Sequence, residues 1–141
     1  MTVRNAEAVW EGTLREGKGR VKLGSGAFEG PYSFHSRFED GAGTNPEELI
    51  GAAHAGCFSM ALSGQLGAAG MTAESIRTTA AVTIDKVEGG FAVTAGHLDV
   101  IARIPGADRA KFEKAALDAK SGCPISKLLN AKITMNAKLE G

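Results

Sequence analysis

The chain has 141 residues, with 16 basic and 16 acidic side chains that cancel. That length suits a single domain, residues 1–141, large enough to bury a core, and the balanced charge offers no basic footprint for nucleic acid and no pull toward an anionic membrane surface. Residues 1–10 are polar and mixed in charge, without the apolar stretch of a signal peptide, and no run of about 18 apolar residues follows, so the expectation is a cytoplasmic protein that stays out of the membrane.

Glycines at 12, 17, 19, 24, 26 and 30 punctuate short extended runs at residues 9–13, 20–23 and 32–38, which predicts a β meander. In the third run Tyr32, Phe34, Ser36 and Phe38 fall on one face and Ser33, His35 and Arg37 on the other, pointing Arg37 away from the aromatic side. Asn45, Pro46, Glu47 and Glu48 make a strong helix start: an N-cap, proline at the first helical position, and acids against the positive end of the dipole. Residues 49–66 are almost free of charge, so this helix is expected to run through the core, its small residues admitting a close neighbour such as a second copy of itself. The glycines at 67 and 70 end it.

Alternation over residues 76–84, a Glu88-Gly89-Gly90 turn and a returning run to Ile104 predict a hairpin, with Leu98, Val100, Ala102 and Ile104 inward. Asp108 then opens an amphipathic helix with Phe112, Ala115, Ala116 and Ala119 on its buried face. Gly122 ends that helix and Pro124 starts a short one, placing Cys123 at or beside an N-cap. Residues 131–139 alternate as a last strand. Strands, helix, strands, helix, strand amount to an α+β domain.

Two cysteines in a reducing compartment are not expected to form a permanent structural disulfide and are too few for a typical structural zinc site; buried thiols, redox chemistry and metal binding stay open. Cys57 sits mid-helix in apolar company, where burial raises a thiol's pKa and the dipole no longer helps, so it needs a cation from elsewhere. Cys123, in a turn near the surface at a helix start, reads from its own setting as the more acidic thiol. His54 is three residues before Cys57 on the same helix face, which raises a Cys-His acyl hydrolase as one alternative; a binding or stress-protection module with structural cysteines is another. The plainer reading of His54 is a histidine packed in the core, since no third group to orient it is evident.

The stretch Gly43-Thr44-Asn45-Pro46-Glu47-Glu48-Leu49-Ile50-Gly51-Ala52-Ala53-His54-Ala55-Gly56-Cys57-Phe58-Ser59-Met60-Ala61-Leu62 resembles the signature helix of the OsmC family, and Gly122-Cys123-Pro124 resembles its second cysteine motif. The segment around Arg37, the strand ending at Asp85-Lys86 and the opening Ala8-Val9-Trp10-Glu11-Gly12 also match, so the resemblance spans essentially the whole chain. It implies antiparallel β-sheets packed around a long apolar central helix in an intertwined homodimer. It further implies a cysteine-based peroxidase with no bound cofactor and no metal, which reduces organic hydroperoxides, and with them hydrogen peroxide, at the expense of an external dithiol.

Carried over residue by residue, the resemblance makes Cys57 the peroxidatic cysteine, Cys123 the resolving cysteine, Arg37 the arginine that holds the thiolate, and Glu47 the acid paired with that arginine. Phe34, Phe38, Phe58 and Met60 are candidates for an apolar surround suited to an organic substrate. Glu47 and Cys57 are ten positions apart, about 15 Å of helix, too far to share one guanidinium easily within a chain. The expectation is therefore a composite site in which Glu47 of one subunit approaches Arg37 and Cys57 of the other. Glu48 is the acid in register to cap with Asn45, leaving Glu47 freer for the site.

Overall fold

The computed structural model describes residues 1–141. The chain forms β1 (Ala6–Glu11), β2 (Lys18–Leu23), β3 (Glu29–Tyr32), α1 (Phe34–Phe38), α2 (Pro46–Ala68), β4 (Ser75–Val87), β5 (Gly90–Arg103), α3 (Arg109–Gly122), α4 (Pro124–Leu128) and β6 (Lys132–Glu140). The α+β reading holds, and the chain divides into two compact units, Met1–Leu49 and Ile50–Gly141. No helix is long and apolar enough to cross a membrane.

In the first unit β1, β2 and β3 form the expected antiparallel meander, with β1 starting a few residues before the sequence pattern suggested. Trp10 and Tyr32 both pair with Gly19, one from each neighbouring strand, and their rings meet at 5.4 Å across it. A Cβ at Gly19 would collide with both rings, so only glycine lets them close over the strand. The third predicted strand, residues 32–38, is corrected: β3 stops at Tyr32 and the rest is helix α1. Ser33 accepts the Ser36 amide and Ser36 Oγ accepts the Ser33 amide, a reciprocal cap that starts a helix. Phe34 and Phe38 suit a strand by alternation, but they are also four apart, and on the helix their rings pack at 5.0 Å.

Helix α2 starts as its sequence predicts, with Asn45 Oδ1 accepting the Glu48 amide at 2.7 Å. It ends in a left-handed Gly70 (φ +81°), where the Met71 amide reaches the Leu66 carbonyl and the Gly70 amide that of Gly67. The single chain covers part of this helix and leaves the rest open to a neighbour. Within the chain it buries one stripe, His54, Phe58, Leu62 and Leu66, at four-residue spacing, and leaves Ala52, Ala53, Gly56, Met60, Ser63 and Gly64 exposed. Beyond the two acids of its first turn the helix carries no charge, so its exposed side has no charged, water-seeking stripe.

In the second unit the buried stripe packs with Leu98, Val100, Ala102 and Ile104 of β5 and with Phe112, Ala115, Ala116 and Ala119 of α3 in one core. The inward faces of the hairpin and of α3 are those the sequence predicts. Gly89 and Gly90 (φ +89° and +144°) make the turn between β4 and β5, which pair antiparallel. The third member corrects the all-antiparallel expectation: β6 pairs with β5 in parallel. A parallel neighbour needs a long crossover, and α3 and α4, lying between the two strands, provide it.

Candidate functional site

Cys57 lies on α2, half-buried, in a turn whose other inward residues are His54 and Phe58. Cys123 was expected near the surface; it is fully buried. The stripe of α3 explains this, since Phe112, Ala116 and Ala119 continue at helical spacing onto Cys123, which turns inward where α3 passes into α4. The core thus brings together two sulfurs that are 66 positions apart in sequence. They share one hydrogen bond at 2.8 Å and are not covalently linked.

The two thiols differ in acidity. Burial pushes Cys57 up and the neighbouring Cys123 pushes it further, against a smaller opposing effect of the Ile125 backbone. Burial also works against ionising Cys123, but the hydrogen bond with Cys57, the Ser126 amide and hydroxyl, and the Ile125 amide outweigh it, and the thiol sits below its ordinary value. Left to its own unit, the pair places its first negative charge on Cys123, in agreement with the reading of the residues alone.

The first unit holds a second pair. Arg37 Nε donates to Glu47 Oε1 and Arg37 Nη2 to Glu47 Oε2, both at 2.9 Å, a bidentate bridge in which the carboxylate is buried and the guanidinium about a third exposed. Local structure fixes it. Ser36 Oγ donates to the Thr44 carbonyl at 2.7 Å and Asn45 Nδ2 donates to the Ser36 carbonyl at 3.2 Å, tying α1 to the start of α2. The other first-turn acid, Glu48, is exposed and accepts instead from Thr44 Oγ1 at 2.7 Å. Glu47 therefore meets Arg37 within one chain, which corrects the expectation that it reaches the arginine of a partner.

Because α1 is a helix, Arg37 does not turn away from the aromatics. Its Cζ lies 5.3 Å from the Phe38 ring centre, over the face. A pocket of about 240 Å³ is lined by Trp10, Leu14, Tyr32, Ser33, Phe34, Arg37 and Phe38, an apolar surround with one cation. Of the four apolar candidates, Phe34 and Phe38 line this pocket, Phe58 is buried in the core, and Met60 is exposed on α2.

His54 is fully buried and its Nε2 lies 2.7 Å from Ser126 Oγ. Burial lowers its pKa, so the ring is neutral, and its nearest polar partner is the serine. This favours the plain reading of His54 over the base of an acyl hydrolase. Ser126 went unnoticed in the sequence. Its spacing from Cys123, three residues on from an N-cap with proline between, could have drawn attention to it. No group of three or more His, Cys, Asp or Glu side chains is placed to hold a metal ion.

A family model described as OsmC-like protein matches residues 39–138. The chain is 51% identical over 142 residues to the protein named Peroxiredoxin OsmC of Escherichia coli (strain K12), covering 99% of both chains. Among solved structures, an OsmC-like protein of unknown function from Vibrio cholerae superposes with a TM-score of 0.78 at 17% identity, covering 97% of this chain and 99% of that one. An organic hydroperoxide resistance protein OsmC from Legionella pneumophila gives 0.71 at 21% identity over the whole of both chains. The structural likenesses speak for the fold, and the matched motifs and full-length identity for descent: the chain belongs to the OsmC family.

Proposed function

We propose that the chain is a cysteine-based peroxidase that reduces organic hydroperoxides to alcohols, and hydrogen peroxide to water, in the cytoplasm. The observation that carries the reading is the 2.8 Å approach of Cys57 and Cys123, two free thiols placed to become a disulfide without rearrangement of the chain. The Cys57 thiolate attacks the distal oxygen of ROOH. The O–O bond breaks, RO⁻ leaves and is protonated to ROH, and Cys57 becomes a sulfenic acid. Cys123 then displaces hydroxide from that sulfur to form the disulfide, and an external dithiol reduces it by exchange.

Cys57 is the thiol that its own unit makes hard to ionise, so the attack requires a cation. Arg37 provides it in this scheme, and Glu47 holds the guanidinium in one orientation. Two of the five guanidinium N–H donors serve Glu47, leaving others to stabilise the thiolate and the departing alkoxide. The pocket beside Arg37 accommodates the apolar body of an organic hydroperoxide between Phe34, Phe38 and Tyr32.

The chain works in this reading as one domain within a homodimer, the Arg37 and Glu47 pair of one subunit completing the thiol site of the other. Support comes from the exposed, uncharged side of α2 and from the empty space around Gly56, Gly64 and Gly67, where another helix backbone can approach. Replacing Cys57 by Ser tests the assignment: hydroperoxide consumption should disappear, and undiminished turnover would refute it.

A further inference from the structure

His54 and Ser126 take no part in the cycle above, yet they form the one hydrogen-bonded pair of buried polar side chains beside Cys123. His54 Nδ1 is buried without a partner. It faces β5 at Gly96, where even an added Cβ would lie 3.8 Å away. A proton on that nitrogen would be a buried donor with nothing to receive it. The serine hydroxyl lowers the pKa of Cys123, as a donor to that sulfur does, so toward the histidine it accepts: the neutral ring carries its proton on Nε2 and donates it to Ser126 Oγ, 2.7 Å away. That contact occupies the serine as an acceptor and leaves its own O–H to be donated. Cys123 is the N-cap of α4 and Ser126 the third residue of that helix, and both the amide and the hydroxyl of Ser126 favour the ionised form of the Cys123 thiol.

We propose that Ser126, oriented by His54, is a further catalytic residue: its hydroxyl donates to Cys123 Sγ and holds that sulfur as thiolate while it closes the disulfide. The inference rests on the peroxidase reading. In the first step the charge belongs on Cys57. Once Cys57 is a sulfenic acid the charge is needed on Cys123, and a chain of donors running His54 Nε2–H to Ser126 Oγ–H to Cys123 Sγ is polarised toward it. Cys123 S⁻ attacks Cys57 Sγ as the sulfur–oxygen bond breaks. The electron pair of that bond leaves with hydroxide, which takes a proton and departs as water. When the external dithiol later attacks Cys57, the same donors stabilise Cys123 as the leaving thiolate. His54 acts through the serine and is a positioning residue.

The test follows both steps in the full chain after rapid mixing with one equivalent of tert-butyl hydroperoxide, by acid quench and mass spectrometry of the sulfenic acid and the disulfide. Relative to sulfenic acid formation, disulfide closure in Ser126→Ala should slow about tenfold, the worth of one hydrogen bond to a charged group. Ser126→Thr, which keeps the hydroxyl, should restore it. His54→Leu should slow closure as Ser126→Ala does, while His54→Gln, which keeps an N–H donor, should not. Closure at the wild-type rate in Ser126→Ala, or equal slowing in Ser126→Thr, would overturn the relay. Failure of the wild-type chain to form a sulfenic acid at all would instead sink the peroxidase reading on which it stands. Should His54→Leu not fold, the serine pair of variants decides alone.

Discussion

Glu47→Gln separates the bidentate bridge from everything else at the start of α2. The substitution keeps shape and volume but removes the charge, and an amide can accept only one of the two bonds that Arg37 now donates at 2.9 Å. A hydrogen bond to a charged group is worth about 1.5–3 kcal/mol. With the guanidinium about a third exposed, solvent screening favours the lower end. About 1.5 to 2 kcal/mol of orientation lost from the transition state amounts to roughly a tenfold to thirtyfold fall in kcat/KM for an organic hydroperoxide. Glu48→Gln is the control, because Glu48 stands in the same first turn and has the same interaction with the helix dipole but is exposed and does not touch Arg37. The assay is hydroperoxide consumption with a small-molecule dithiol as reductant, alongside urea unfolding of both variants. Equal losses of activity in the two variants, or activity within about twofold of wild type for Glu47→Gln, would refute the reasoning.

Cys123→Ser should leave Cys57 able to react once, so that a sulfenic acid accumulates where the wild type forms a disulfide; trapping it with a carbon nucleophile and locating the adduct checks this. Mixing inactive Cys57→Ser with inactive Arg37→Ala chains and allowing subunits to exchange should restore activity, since only a site shared across the dimer regains both residues; no recovery would place the site within one chain. The buried His54 has a pKa below its ordinary value, so as pH falls through about 6.5 the unfolded chain takes up a proton that the folded one does not, and stability declines. Urea unfolding at about pH 7.5 and 5.5 should therefore show a larger loss for the wild type than for His54→Gln, which does not titrate; equal losses would contradict a buried neutral ring.

Much of the fold is written locally in the chain. Asn45-Pro46 starts α2, Gly70 stops it, Gly89-Gly90 turns the hairpin and Asp108 caps α3, each because a short-range hydrogen bond or dihedral demands that residue type. Residues 32–38 misled because aromatic positions at 34 and 38 satisfy both a two-residue and a four-residue period, and the deciding Ser33–Ser36 cap is two serines among many. The parallel pairing of β6 with β5 depends on how a crossover packs, which alternation does not record. The site divides in the same way. The candidate residues were nameable from motif, but the meeting of Cys57 with Cys123 and of His54 with Ser126, 66 and 72 positions apart, is a product of the core. The spacing of Glu47 and Cys57 along α2 argues that one guanidinium cannot serve both within a chain, but it does not say which of the two Arg37 meets; a helical turn opened by Ser33 sets the guanidinium against Glu47 of its own chain.

The most direct test of the central claim is mass spectrometry of the reduced chain after one equivalent of an organic hydroperoxide. The expected result is the loss of two hydrogens, mapped to a peptide in which Cys57 is joined to Cys123, together with one equivalent of the alcohol. Both cysteines recovered as free thiols with the hydroperoxide intact, or a disulfide that links two chains through Cys57 alone, would contradict it.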